Sequence, residues 1–162
     1  MATIHSLISR GLVEIKVPLE RRERQKRWLY GVPEFEEWLR EALPNLTPGR
    51  LGAADSPMEQ VDFRLHQWIA GEEIRYERHL KDLMPVGDEI WEFKTADVRI
   101  FGWIYRPNVF IAVLGEYADL FKSRSKTKNY GDAVKAVKMA RDRLPLDEPK
   151  FWGGKFDELV SV

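Results

Sequence analysis

The chain has 162 residues, 44% of them hydrophobic and 12% aromatic, enough to bury one core and short of what two ordinary domains need. Its 26 Lys and Arg balance its 26 Asp and Glu, so net charge does not mark a nucleic-acid binder, and the lack of cysteine excludes disulfides and thiolate metal sites. No apolar run approaches a membrane span, and MATIHSLISRGLVEIK has neither the apolar core nor the cleavage site of a secretory signal; a cytoplasmic protein with no membrane partner is expected.

In residues 12–18 (LVEIKVP), Val13, Ile15 and Val17 alternate with Glu14 and Lys16, which predicts a half-buried strand. The following LERRERQKRWLYG is charged enough to be a short helix or an exposed connection. PEFEEWLREALPN opens on Pro33 and spaces Phe35, Trp38, Leu39 and Leu43 along one helical face, with Pro44 and Asn45 as the stop. TPGRLGAADSP has loop composition. A second helix is expected after Ser56, with Pro57 at its first position, Glu59 in its first turn, and Val61, Leu65, Trp68 and Ile69 on a buried stripe ending near Gly71.

YERHLKDLMPVGDE then leads towards three strand candidates in succession: EIWEFK, VRIFGWIY and VFIAVLG. Asp97 marks the first turn between them and Pro107-Asn108 the second, so the three read as an antiparallel meander. NYGDAVKAVKMARDRLP predicts a helix with Ala133, Val137, Ala140 and Leu144 on one face. The tail, 146–162, brings Phe151, Trp152 and Phe156 to pack back on the body. The whole reads as one α+β domain over 1–162, with its core in 12–145, an antiparallel sheet packed by helices and an enlarged helical N-terminal region. Charge is uneven within it: residues 94–143 hold 11 Lys and Arg against 5 Asp and Glu, a local field that the neutral total conceals.

The segment EIWEFKTADVRIFGWIYRPNVFIAVLGEYADLFKSRSKTKNYGDAVKAVKMARDRL resembles the second half of RelE/HigB-type toxins, especially their phage-derived relatives. The resemblance lies in Trp91-Glu92, in Arg99-Ile100-Phe101 opening a strand, in the apolar strand 110–114, in the basic stretch 122–128 and in the Ala-spaced helix 132–143. It covers about a third of the chain and rests more on element order than on any single motif. It implies the toxin of a toxin–antitoxin pair, an mRNA interferase that cuts mRNA, usually on the ribosome, without metal or cofactor, and that is silenced by a cognate helix-turn-helix antitoxin. In such cleavage the ribose 2′-OH attacks the adjacent phosphorus, a base takes its proton, an acid protonates the leaving 5′-oxygen, and cations hold the phosphate charge.

Arg99 falls where the resemblance places a phosphate-binding arginine, and its planar fork suits two phosphate oxygens. Lys94 and Lys122 are the assisting cations, and Tyr117 the acid/base candidate, with Tyr130 as another tyrosine able to stack on a base or move a proton. Arg124, Lys126 and Lys128 continue the period-two basic run from Lys122 and would follow an RNA backbone. Glu92 shares a face with Lys94; it either displaces a cation or supplies a carboxylate base. None of His5, His66 and His79 lies in the resembling strands, and no His/Asp/Glu spacing indicates a metal site. Each candidate also has a plain structural explanation: Arg99 as an edge arginine paired to Glu92 or Glu116, the basic run as a solvated loop, the tyrosines as packing. Glu92, Glu116 and Asp119 depart from the pattern, so two alternatives stay open: a non-catalytic interaction module of the same fold, and a poison of a gyrase-type topoisomerase.

Overall fold

The computed structural model describes residues 4–49, 52–83, 88–122 and 129–161. In chain order the elements are α1 (Ile4–Ser9), β1 (Val13–Glu14), β2 (Trp28–Gly31), α2 (Pro33–Glu37, running on as a π turn, Trp38–Ala42, and a 3-10 turn, Leu43–Asn45), α3 (Pro57–Ala70), β3 (Leu80–Asp82), β4 (Trp91–Lys94), β5 (Val98–Arg106), β6 (Val109–Tyr117), α4 (Asp119–Lys122), α5 (Tyr130–Arg143) and α6 (Phe156–Leu159). The protein is α+β, with one six-stranded sheet in the order β1-β2-β6-β5-β4-β3.

β5 forms the middle of the core because VRIFGWIYR is β-branched and aromatic on both faces, and its first eight residues are all buried. It pairs antiparallel with β4 on one side and β6 on the other. The β5–β6 turn puts Asn108 at φ 64°, a left-handed conformation that asparagine tolerates. Gly102 sits at a register shift where a Cβ would lie 2.0 Å from the Ile111 carbonyl oxygen, so the two strands approach too closely there for any side chain.

The sheet is mixed, not wholly antiparallel as the sequence suggests, because β2 runs parallel to β6. A parallel neighbour needs a long crossover, and everything from α2 to β5 supplies it. The expected strand 12–18 also shrinks: only Val13 and Glu14 are strand, paired with β2, and the Ile15 amide adds one bond to the Leu29 carbonyl at 2.8 Å. The strand that pairs with β6, second from the sheet edge, is WLYG, hidden at the end of a charged stretch and buried over Leu29, Tyr30 and Gly31. β3 is likewise an addition, a three-residue edge strand beside β4.

α3 begins as its sequence directs. Ser56 accepts from the Glu59 amide, Glu59 reaches back to the Ser56 amide, and the helix ends on left-handed Gly71. Trp68 packs edge-on against Phe93 at 5.3 Å and Phe110 at 6.2 Å, fixing α3 to one sheet face. Tyr130 of α5 packs on Phe101, whose strand partner is Glu92, so α5 covers the opposite face. The tail wraps back: the Trp103 indole donates to the Lys150 carbonyl at 2.7 Å, Tyr105 to the Asp147 carbonyl at 3.1 Å, and Leu159 and Val160 are buried. Among the described residues no helix is long and apolar enough to cross a membrane.

Arg27, just before β2, is 1% exposed. Its guanidinium donates to the carbonyls of Ser161, Gln67, Trp68 and Glu72 and lies 5.2 Å from the centre of the Trp68 ring. It thereby adds to the backbone cap at the C-terminal end of α3, where the Gly71 and Glu72 amides already reach the Gln67 and Trp68 carbonyls, a positive charge that also suits the helix dipole.

Candidate functional site

Strand alternation puts Glu92 and Lys94 on the α5 face of β4, and the antiparallel register sets Arg99 of β5 opposite Lys94 and Lys81 of β3 opposite Glu92. Tyr130, at the start of α5, closes over them. These five side chains line one cleft of about 360 Å3, with Asp82 and Leu83 at its edge.

Glu92 and Arg99 are each 3% exposed. The Arg99 Nη1 donates to the carbonyls of Thr95 at 2.6 Å and Val98 at 3.0 Å, while its Nε stands 4.0 Å from Glu92 Oε2. Neither of those two facing atoms has a hydrogen-bond partner among the described residues. Buried polar atoms are usually paired, so this is a place where the fold leaves hydrogen-bonding capacity unused. Burial pushes the Glu92 carboxyl above its usual range, outweighing the opposite pull of Arg99, Lys94, Tyr130 and Lys81. Burial, then the Glu92 charge, raises the Tyr130 hydroxyl against the pull of Arg99, so it keeps its proton at neutral pH.

A second layer holds Arg99 in place. Gln60 of α3 accepts from the Thr95 hydroxyl and the Asp97 amide, both at 2.9 Å, and donates to Asp97 Oδ2 at 2.7 Å. Thr95 Oγ1 accepts in turn from the Val98 amide at 2.9 Å, and Arg64 Nε donates to the Lys94 carbonyl at 2.9 Å. The β4–β5 turn is thus locked by α3, and its carbonyls grip the guanidinium.

Of the residues the sequence singles out, Arg99 and Lys94 meet in the cleft. Tyr117 does not: its register partner is Val98, which places it on the other sheet face, and its hydroxyl donates to the Thr47 carbonyl. Tyr130, the other tyrosine weighed, stands in the cleft instead. The Lys122 backbone ends α4, but its side chain, and Arg124, Lys126 and Lys128 entirely, lie outside the described residues. Lys81 is a member that the sequence does not announce, because its strand is too short to be legible there.

The ligand atoms of Glu23, His66 and Glu72 lie within 4.8 Å of one another. The imidazole stands between the two carboxylates, with Nε2 2.6 Å from Glu23 and Nδ1 3.6 Å from Glu72. Opposite ring nitrogens face the two acids, so the imidazole can offer one ion only the nitrogen that faces one of them. No family model matches this chain, and no curated protein or solved structure matches it significantly.

Proposed function

We propose that the protein is a toxin-type RNA endonuclease of the RelE/HigB kind, acting on mRNA in the cytoplasm without metal and restrained by a cognate antitoxin. The observation that carries this reading is the convergence of Glu92, Arg99, Lys94, Lys81 and Tyr130 on one cleft. It is supported by the antiparallel run β4, β5 and β6 followed by α5, which corresponds to the segment that carries the resemblance, although β2 and the edge strand β3 add to the strand–helices–three-strands–helix order expected of such toxins.

Each group has a part in 2′-OH cleavage. Glu92, with its raised proton affinity, takes the proton from the 2′-OH as the new O2′–P bond forms. Arg99, Lys94 and Lys81 hold the charge gathering on the phosphate oxygens. Tyr130 keeps its proton at neutral pH and gives it to the 5′-oxygen as the P–O5′ bond breaks. The products are a 2′,3′-cyclic phosphate and a 5′-hydroxyl.

A second reading, a non-catalytic module, is favoured by the depth of Arg99, whose Nη1 is already engaged by two backbone carbonyls. Cleavage of mRNA on programmed ribosomes in the presence of EDTA separates the two. Wild type is expected to cut and leave cyclic-phosphate ends, with Tyr130→Phe and Lys94→Gln slower by about 10²–10³-fold and Arg99→Ala inactive. If wild-type protein leaves the message intact, or if all three variants cut as it does, the nuclease reading fails.

A further inference from the structure

Trp91 and Glu92 are successive residues of one strand, so their side chains leave β4 on opposite faces. Behind the cleft, on the Trp91 side, is a second cavity of about 530 Å3 lined by Tyr76, Asp82, Trp91, Lys155, Phe156 and Asp157. Asp82 borders both spaces, and the edge strand that separates them is only three residues long. The size is ordinary for a site that takes a small planar ligand.

Three features give this cavity a recognition chemistry. Tyr76 is 44% exposed, unusual for a large aromatic, yet it is held in place: its hydroxyl donates to Asp82 at 2.5 Å and its ring packs on Trp91 and Phe156 at 6.4 and 5.5 Å. An exposed ring fixed at both ends is a stacking platform that loses little freedom on binding. Trp91 is 3% exposed and closes the wall of the cavity with its ring; its indole N–H, without a partner among the described residues, is itself shut off from solvent and so serves as a probe of the cavity and not as a contact. Lys155 and Asp157 flank the rings as an exposed donor and an exposed acceptor, and neither forms an ion pair among the described residues.

We propose that this cavity binds a guanine base. Guanine presents a flat face to Tyr76, adjacent N1–H and 2-amino donors to the Asp157 carboxylate, and its O6 and N7 acceptors to the Lys155 ammonium. Adenine places an amine where this wall offers donors, and pyrimidines lack both the second ring and the paired donors. Binding of the base stands on the cavity alone. Its use as the subsite that selects a nucleotide near the cut rests on the nuclease reading.

The test uses nucleosides, which carry no phosphate and so do not depend on the Arg99 cleft. The full chain, labelled with 15N, is titrated with guanosine, inosine, adenosine and cytidine while the Trp91 indole resonance is followed. Guanosine is expected to give a saturable shift, with inosine at least about ten-fold weaker for want of the 2-amino group and adenosine and cytidine weaker still. Asp157→Asn is expected to weaken guanosine by about ten-fold, and Tyr76→Ala to abolish the shift. No saturable shift with guanosine, equal affinity for the four, or an Asp157→Asn protein that binds as wild type would overturn the proposal. Guanosine binding by a protein that cuts no RNA keeps the site and removes the nuclease; cleavage without guanosine binding does the reverse.

Discussion

Removing the Arg27 guanidinium is expected to cost more stability than any other single charge deletion in the described fold. The group makes five hydrogen bonds to four carbonyls: Ser161 twice, at 2.7 and 3.2 Å, then Glu72 at 2.9 Å, Trp68 at 3.2 Å and Gln67 at 3.3 Å. Each bond from a charged donor is worth about 1.5–3 kcal/mol, but burying the guanidinium takes back a large part of the sum. Arg27→Ala also strips the stem from the Trp68 ring and removes the donor from the Ser161 and Glu72 carbonyls, while those of Gln67 and Trp68 keep the Gly71 and Glu72 amides, so a net loss of about 4 kcal/mol is expected. For a chain of this length that is a Tm lower by about 8–16 °C. Urea unfolding followed by tryptophan fluorescence measures it directly. Arg27→Met keeps the apolar stem and isolates the hydrogen bonds; it should lose about 2–3 kcal/mol. If Arg27→Met unfolds within about 0.5 kcal/mol of wild type, water or rearrangement satisfies those carbonyls and the reasoning is wrong.

Three further outcomes are expected. Tyr30→Phe should raise stability by about 1 kcal/mol, because the Tyr30 hydroxyl is buried without a partner among the described residues and its pKa is pushed up to about 12 by burial and then by Glu14; a loss on urea titration would reveal a bond to that oxygen. Glu92 binds its proton more tightly folded than unfolded, so the folded state carries the extra proton and stability falls as pH rises from the usual glutamate range to the raised value. Glu92→Gln should flatten that slope, and equal slopes for both proteins in urea midpoints taken from pH 4 to 8 would contradict it. On the proposed nuclease reading, Gln60→Ala should slow RNA cleavage by about ten-fold at saturating substrate while the chain stays folded, because the turn that grips Arg99 loses its lock; an unchanged rate would show that the turn holds by itself.

The parts of the fold that sequence conveys are those whose signals are local. Ser56, Pro57 and Glu59 announce α3, and the aromatic alternation of 98–106 announces β5, because caps and side-chain periods act over a few residues. WLYG fails as a signal since four residues hold no period, and the charges before it mask a strand buried on both faces. The parallel partnership of β2 with β6 is a long-range fact with no local trace. The site divides in the same way. Arg99, Lys94 and Glu92 are legible from strand register, whereas Lys81 depends on a three-residue edge strand, and Tyr117 and Tyr130 differ only in which face the completed sheet gives them. Arg27 looks like every other arginine of its run until the carbonyls of residues 67, 68, 72 and 161 assemble around it.

That assembly also orders events in time. β4, β5 and β6 are joined by tight turns and can zip in sequence, each closing only a few residues of chain. The contact of β2 with β6 joins positions about eighty residues apart, and closing such a loop costs about 4 kcal/mol of chain entropy before a single parallel bond is made. Folding should therefore proceed from the hairpins outward, with WLYG docking late onto an edge already built. Arg27 immediately precedes WLYG, so the least exposed charged residue among those described should stay in water until the last step, and the transition state is spared the cost of burying it.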